Sequence, residues 1–302
     1  MKKPNFFIIG APKCGTTSLA NYLRAHPQVF FSHPKEPFFF SPDVGKRFNV
    51  IRELSEYEQL FAEAGEEHIA VGEGSTSYLR SHEAAHRIWE YQPGAKIIAV
   101  LRDPMTHVPS LHNEALLSRS ENVRDFEEAW GLQGLRKQGR RVPRSCFKVE
   151  DLFYAEAGRY SQNLEQYFTL FPRERIKIFL FDELAADTAR VYRDILEFLG
   201  VDPEHEIEFA VHNPRRSYRS TLLKSWMLKT PKALVRPVLR VKEALGVREL
   251  GVFKTLEKLN KAPVEKRPLS REVKEEIIEA YRDEVQKLSV LIGRDLSHWL
   301  LP

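Results

Sequence analysis

Phe6-Phe7-Ile8-Ile9-Gly10-Ala11-Pro12-Lys13-Cys14-Gly15-Thr16-Thr17-Ser18-Leu19 decides the fold. Four apolar residues end in glycine, a short loop follows, and a helical pattern begins. Phe6 to Ile9 reads as a buried parallel strand. Gly10 and Gly15 allow a tight turn that exposes backbone N–H groups. Thr16, Thr17 and Ser18 bring hydroxyls to the start of a helix. A helix N-terminus has unpaired donors and partial positive charge, so it suits a phosphate or sulfate. The stretch therefore reads as an anion cradle.

Outward from it, strands alternate with helices. Val29 to Phe31, Ile69 to Gly72, Lys96 to Leu101 and Ile176 to Phe181 are apolar runs of strand length. Helical patterns cover Ser18 to Ala25, Ser55 to Ala64, Glu83 to Tyr91, Phe126 to Lys137 and Gly158 to Phe171. Another follows Asp182, which reads as its N-cap, and runs to Leu199 before Gly200. Ser270 to Ile292 is a long closing helix, capped by Ser270 and ended by Gly293. The pattern predicts an α/β fold, a P-loop-like three-layer sandwich with a mostly parallel central sheet. A single domain is expected over 1–302, of which about 215–302 forms a basic, mainly helical C-terminal portion.

The 302 residues are 42% apolar and 29% charged, with a formal charge of +4, as in a soluble, mildly basic protein. That charge is too weak to argue for nucleic-acid binding. The two cysteines, Cys14 and Cys146, read as unpaired thiols of a reducing compartment. The first apolar run is too short for a signal peptide, and none approaches a membrane span. A cytoplasmic protein is expected. No His/Cys/Asp cluster suggests a metal.

The loop resembles the P-loop pattern G-x-x-x-x-G-K-[ST], except that Thr16 stands where that pattern has lysine. Lys13 lies inside the loop instead. Asp182-Glu183, after the last strand, mimics a Walker B acid pair and keeps an ATP-dependent phosphotransferase open as an alternative. A nucleotide-binding protein without catalysis is the other.

The string G-A-P-K-C-G-T-T-S-L is similar to the 5′-phosphosulfate loop of sulfotransferases that use PAPS (3′-phosphoadenosine 5′-phosphosulfate). Lys35-Glu36-Pro37 with Phe38, Phe39 and Phe40 resembles the second signature of the bacterial and heparan-sulfate-like members. Arg102-Asp103-Pro104, with Ser110 eight residues after the arginine, resembles the family's 3′-phosphate signature. The resemblance implies sulfuryl transfer to an acceptor hydroxyl, leaving PAP (3′-phosphoadenosine 5′-phosphate), without a metal. Glu36 is then the base, and Lys13 neutralises charge on the leaving group. Lys13, Cys14, Gly15, Thr16, Thr17 and Ser18 form the 5′ cradle, and Arg102 and Ser110 grip the 3′-phosphate. A late basic loop, through Arg219 or Arg216, closes on that phosphate. The acceptor is a small-molecule, glycan or carrier-bound hydroxyl.

Lys35 and Phe38 are candidates for contact with the acceptor. Tyr160, in Gly158-Arg159-Tyr160, is another, against ordinary core packing. Glu73 ends a strand, where it orients Lys13 or the acceptor, or caps the strand. Heparan-sulfate-like members tend to have lysine after this glutamate, where this chain has Gly74. His112 reads as a packed or solvated helix residue. Arg215 to Arg248 holds ten Lys/Arg and one acid, Glu243, among apolar residues. It reads as helices with a solvated basic face, or as a surface for an acidic substrate, carrier protein or membrane.

Overall fold

The computed structural model describes residues 2–44, 51–209, 216–218, 261–263 and 268–301. Five strands form one parallel sheet: β1 (Phe6–Gly10), β2 (Val29–Phe31), β3 (Ala70–Gly74), β4 (Lys96–Leu101) and β5 (Ile176–Leu180). Their order is β2-β3-β1-β4-β5. Every residue of β1 and β3 is buried, and all of β4 but Lys96. Strands buried throughout have both faces covered, which is why these runs read as continuous rather than alternating.

The order reverses around β1. The chain leaves it for the far edge at β2, returns through β3, and crosses over to β4 and β5. Such a reversal opens a crevice beyond the carboxyl ends of the strands. Into it lead α1 (Thr16–Arg24) after β1 and α4 (Pro104–Ser118) after β4. Between these lie α2 (Leu54–Gln59) and α3 (Ala84–Tyr91). After them come α5 (Phe126–Gly131), α6 (Gln133–Lys137), α7 (Tyr154–Ala157), α8 (Ser161–Leu170), α9 (Phe181–Ala186) and α10 (Thr188–Leu199).

The closing helix is Arg271–Ile292. Ser270 accepts from the Val273 amide, and Gly293 adopts the left-handed conformation (φ 67°) that ends a helix. Its buried Tyr281 donates to the Tyr154 carbonyl (2.6 Å), and Glu284 takes the Ser161 amide (2.7 Å). It belongs to one compact unit, Met1–His212 with Leu269–Pro302, while Asn213–Pro268 forms another. Within the second unit, β6 (Arg216–Tyr218) and β7 (Lys261–Pro263) pair antiparallel. The helices expected over 215–248 fall almost wholly outside the described residues.

Three expectations are corrected. The helix expected over Phe126 to Lys137 is two helices, divided at Leu132. The helix expected from Asp182 to Leu199 is also two, with Asp187 capping the second through the Arg190 amide (2.9 Å). Asp182 sits inside α9 and meets His298 (3.1 Å), and Glu183 pairs with Arg294 (2.5 Å). This acid pair is occupied by the C-terminal segment, as a Walker B pair would not be. No helix among the described residues is long and apolar enough to cross a membrane.

Candidate functional site

The carboxyl ends of β1, β3 and β4 bring three distant segments together. The first is the loop after β1. Ala11 donates to the Val100 carbonyl (2.8 Å), so the loop starts from a fixed point on β4. Gly15 is the N-cap of α1 in the left-handed conformation (φ 79°). It has no side chain to cap the helix, and no acid lies in the first turn. The first intrahelical bond runs from the Leu19 amide to the Gly15 carbonyl. The amides of Gly15, Thr16 and Thr17 therefore precede the ladder and can meet an anion. Lys13 also has positive φ (63°), a conformation costing a non-glycine residue roughly 1–2 kcal/mol. Its ammonium lies 3.1 Å from Glu114 on α4. Both side chains are well exposed, so the pair is worth about 0–1 kcal/mol and gives way to a stronger anion.

The second segment carries Glu36. Its amide donates to the Gly74 carbonyl (3.1 Å), and the Phe38 amide donates to Ser75 Oγ (3.2 Å). Arg24 of α1 holds the approach by donating to the Ser32 carbonyl (2.6 Å). The stretch does not run extended, because Glu36 and Phe38 both turn left-handed (φ 63° and 58°). Glu36 Oε1 accepts from Thr76 Oγ1 (2.9 Å) and from the Lys35 ammonium (3.1 Å). The same ammonium lies 3.4 Å from Thr16 Oγ1, on the first residue of α1. Lys35, Glu36 and Thr16 thus meet although β2 lies between them in sequence.

The third segment opens α4. Asp103 caps it through the Thr106 amide (2.9 Å), with Pro104 in the first turn. Arg102 Nε donates to Thr106 Oγ1 (2.8 Å) and Nη1 to the Lys13 carbonyl (2.9 Å). Its guanidinium stacks on Phe181, 4.3 Å from the ring centre. Arg102 therefore braces the loop after β1. Ser110 is buried on the same helix, and no hydrogen bond to its hydroxyl occurs among the described residues.

Sequence reading missed His107. It is fully buried, with Nε2 2.9 Å from the Pro12 carbonyl and Nδ1 2.9 Å from the Tyr160 hydroxyl. A carbonyl only accepts, so Nε2 carries the proton and Nδ1 accepts from Tyr160. Burial pushes its pKa down to about 3, so the ring is neutral at ordinary pH. His107 and Arg102 together hold the carbonyls of Pro12 and Lys13. The available signal was spacing, since His107 precedes Ser110 by three residues and shares its helix face.

Other expected residues are placed differently. Tyr160 is 1% exposed, and its hydroxyl serves His107 and the Arg102 carbonyl (3.3 Å), so acceptor contact gives way to core packing. Strand β3 runs on to Gly74, which puts Glu73 inside the sheet rather than at its end. Glu73 accepts from Tyr78 (2.6 Å), Ser75 (2.9 Å) and Tyr57 (3.3 Å). Burial raises its pKa to about 7, against the pull of those hydroxyls. It is fully buried, and no bond to Lys13 occurs among the described residues. Phe39 stacks on Tyr57 (4.5 Å) and Phe40 packs edge-on to Phe7 (5.7 Å). Of the three phenylalanines, Phe38 alone is half-buried. Burial also raises the Cys14 thiol to about 12, which leaves it no nucleophile. His112 packs with Nε2 on the Val123 carbonyl (2.9 Å). Arg219 and the side chain of Arg216 lie outside the described residues.

Residues 3–233 match the family described as "Sulfotransferase domain". The chain is 28% identical over 261 residues to Mus musculus "Carbohydrate sulfotransferase 15", covering 69% of this chain and 46% of that protein. It is 27% identical over 213 residues to Homo sapiens "Bifunctional heparan sulfate N-deacetylase/N-sulfotransferase 3", covering 69% and 23%. It thus spans less than half the length of these relatives. The crystal structure of a sulfotransferase from Alicyclobacillus acidocaldarius superposes with a TM-score of 0.72 at 26% identity, covering 99% of each chain. Strand order, loop and family match agree, and the chain belongs to the sulfotransferase family.

Proposed function

We propose that this protein transfers a sulfuryl group from PAPS to an acceptor hydroxyl and releases PAP. The observation that carries the reading is the meeting of Glu36 with the start of α1 through Lys35. An acid able to take a proton thereby stands beside a helix end able to hold a phosphosulfate. The residues fit that donor: open amides at Gly15 to Thr17, a lysine in the loop, and a buried Ser110 hydroxyl with no hydrogen bond among the described residues.

In this reading the 5′-phosphosulfate rests on the amides of Gly15, Thr16 and Thr17, with hydroxyls from Thr17 and Ser18. Arg102 and Ser110 take the 3′-phosphate and so select PAPS over ATP. Glu36 accepts the acceptor's proton as the acceptor oxygen bonds to sulfur. The bond from sulfur to the bridging oxygen breaks, and its electrons stay on the 5′-phosphate of PAP. Lys13 leaves Glu114 and neutralises that charge, so no divalent metal is called for. Preorganised stabilisation of developing charge is usually the largest catalytic term.

The relatives' names favour a carbohydrate as the acceptor, and the acid at Glu36 favours one of its hydroxyls. The test is transfer from radiolabelled PAPS to a panel of unsulfated glycan oligosaccharides, phenols and hydroxyacyl chains, with chelator present. Glu36→Gln should lose turnover by at least about a hundredfold while binding PAP as the parent does. Full activity in Glu36→Gln would remove the base from this mechanism.

A further inference from the structure

We propose that Lys35 is a catalytic residue whose ammonium binds the sulfuryl oxygens as they pass from the α1 N-terminus toward Glu36. The inference rests on the sulfotransferase mechanism above and adds a residue to it. Its ground is position. Lys35 Nζ lies 3.1 Å from Glu36 Oε1 and 3.4 Å from Thr16 Oγ1, so it touches both ends of the transfer path. Its side chain is 13% exposed, where a charge acts more strongly than in open water. The loop lysine, Lys13, is turned to Glu114 on another helix, with 32% of its side chain exposed. Gly74, at the end of β3, brings no side chain to the crevice. An ammonium has three donors; two are engaged here, and no third contact occurs among the described residues. Oxygens carried on sulfur between Thr16 and Glu36 meet that third donor. Lys35 keeps its proton throughout, since the acceptor's proton goes to Glu36.

The test compares Lys35→Met and Lys35→Arg with the parent chain. One readout is PAP release from PAPS, with unsulfated heparosan oligosaccharide as acceptor and with water alone. The other is PAP binding by calorimetry. Because PAP has no sulfuryl group, Lys35→Met should keep PAP affinity within about threefold. Its kcat should fall by roughly a hundredfold to a thousandfold, as when a donor to a developing charge is removed. Lys35→Arg should recover at least tenfold of that loss, and methylamine should partly rescue Lys35→Ala, which a purely structural role would not allow. The proposal is overturned if Lys35→Met turns over within twofold of the parent, or if PAP affinity falls as far as kcat. Loss of folding in Lys35→Met moves the decision to Lys35→Arg, where a hundredfold drop without methylamine rescue of Lys35→Ala also overturns it. A parent chain that neither binds PAP nor consumes PAPS would sink the parent mechanism and this role together. A parent that turns over alongside an equally active Lys35→Met sinks this role alone.

Discussion

Replacing His107 by phenylalanine isolates the brace on the anion loop. The ring keeps the cavity filled but removes the N–H that holds the Pro12 carbonyl at 2.9 Å. That carbonyl would then retain the Cys14 thiol at 3.4 Å, a weak donor. Leaving a buried acceptor underserved costs about 1–3 kcal/mol. If the free loop relaxes and nucleotide binding must restore it, the same energy appears as weaker PAP affinity, about fivefold to 150-fold. His107→Gln can still donate an amide N–H and should recover most of the affinity. Calorimetric titration with PAP measures it, with thermal unfolding as the control. The ring's titration gives a second readout. Its pKa is pushed from 6.5 to about 3 by burial, so the unfolded chain binds the extra proton between those values. The stabilisation is complete above about pH 6.5, is lost as pH falls to about 3, and amounts to roughly 5 kcal/mol. Over that window the parent should lose stability more steeply than His107→Phe. Unchanged PAP affinity in a folded His107→Phe would refute the brace, whatever happened to its melting temperature.

Glu73 should act in the opposite direction. Its pKa rises from 4.5 to about 7 through burial, so its stabilisation is complete below about pH 4.5 and lost as pH climbs to 7, by roughly 3 kcal/mol. Glu73→Gln should therefore gain on the parent across that range in denaturant titrations; a constant difference would show that Glu73 does not titrate there. Arg102→Ala removes the brace on Lys13 and the stack on Phe181, and PAP affinity should drop by at least about tenfold. If Arg102 also holds the 3′-phosphate, AMP affinity should drop less than PAP affinity, whereas equal drops would leave it as a loop brace alone.

The architecture was legible because its strands are buried on both faces. Continuous runs such as Lys96 to Leu101 have one reading, and that strand has the bounds expected. The tight turn from β1 into α1 was legible because glycines and hydroxyls crowd it. Glu73 was misplaced by its neighbours. Gly72 and Gly74 read as the end of a strand, but here the chain stays in the sheet, where Gly72 packs its Cα face against Phe6. A Cβ at Gly72 would lie 2.5 Å from the Phe6 carbonyl oxygen, so the glycine serves close strand packing. The acid between them is held by Tyr57 and Tyr78, partners that the sequence does not link to it. His107 was invisible for a related reason. Its partners, Pro12 and Tyr160, lie 95 and 53 residues away, and only the crossing from β1 to β4 joins them. Lys35 and Thr16 meet across β2 in the same way.

The most direct measurement compares PAP, AMP and ATP binding by calorimetry, the first two in chelator and the third with magnesium. Cradles for two phosphates of one adenine nucleotide require PAP to bind at least about tenfold more tightly than AMP, since the 3′-phosphate adds charge-assisted hydrogen bonds. Tight magnesium-dependent ATP binding, with PAP no better than AMP, would contradict the account.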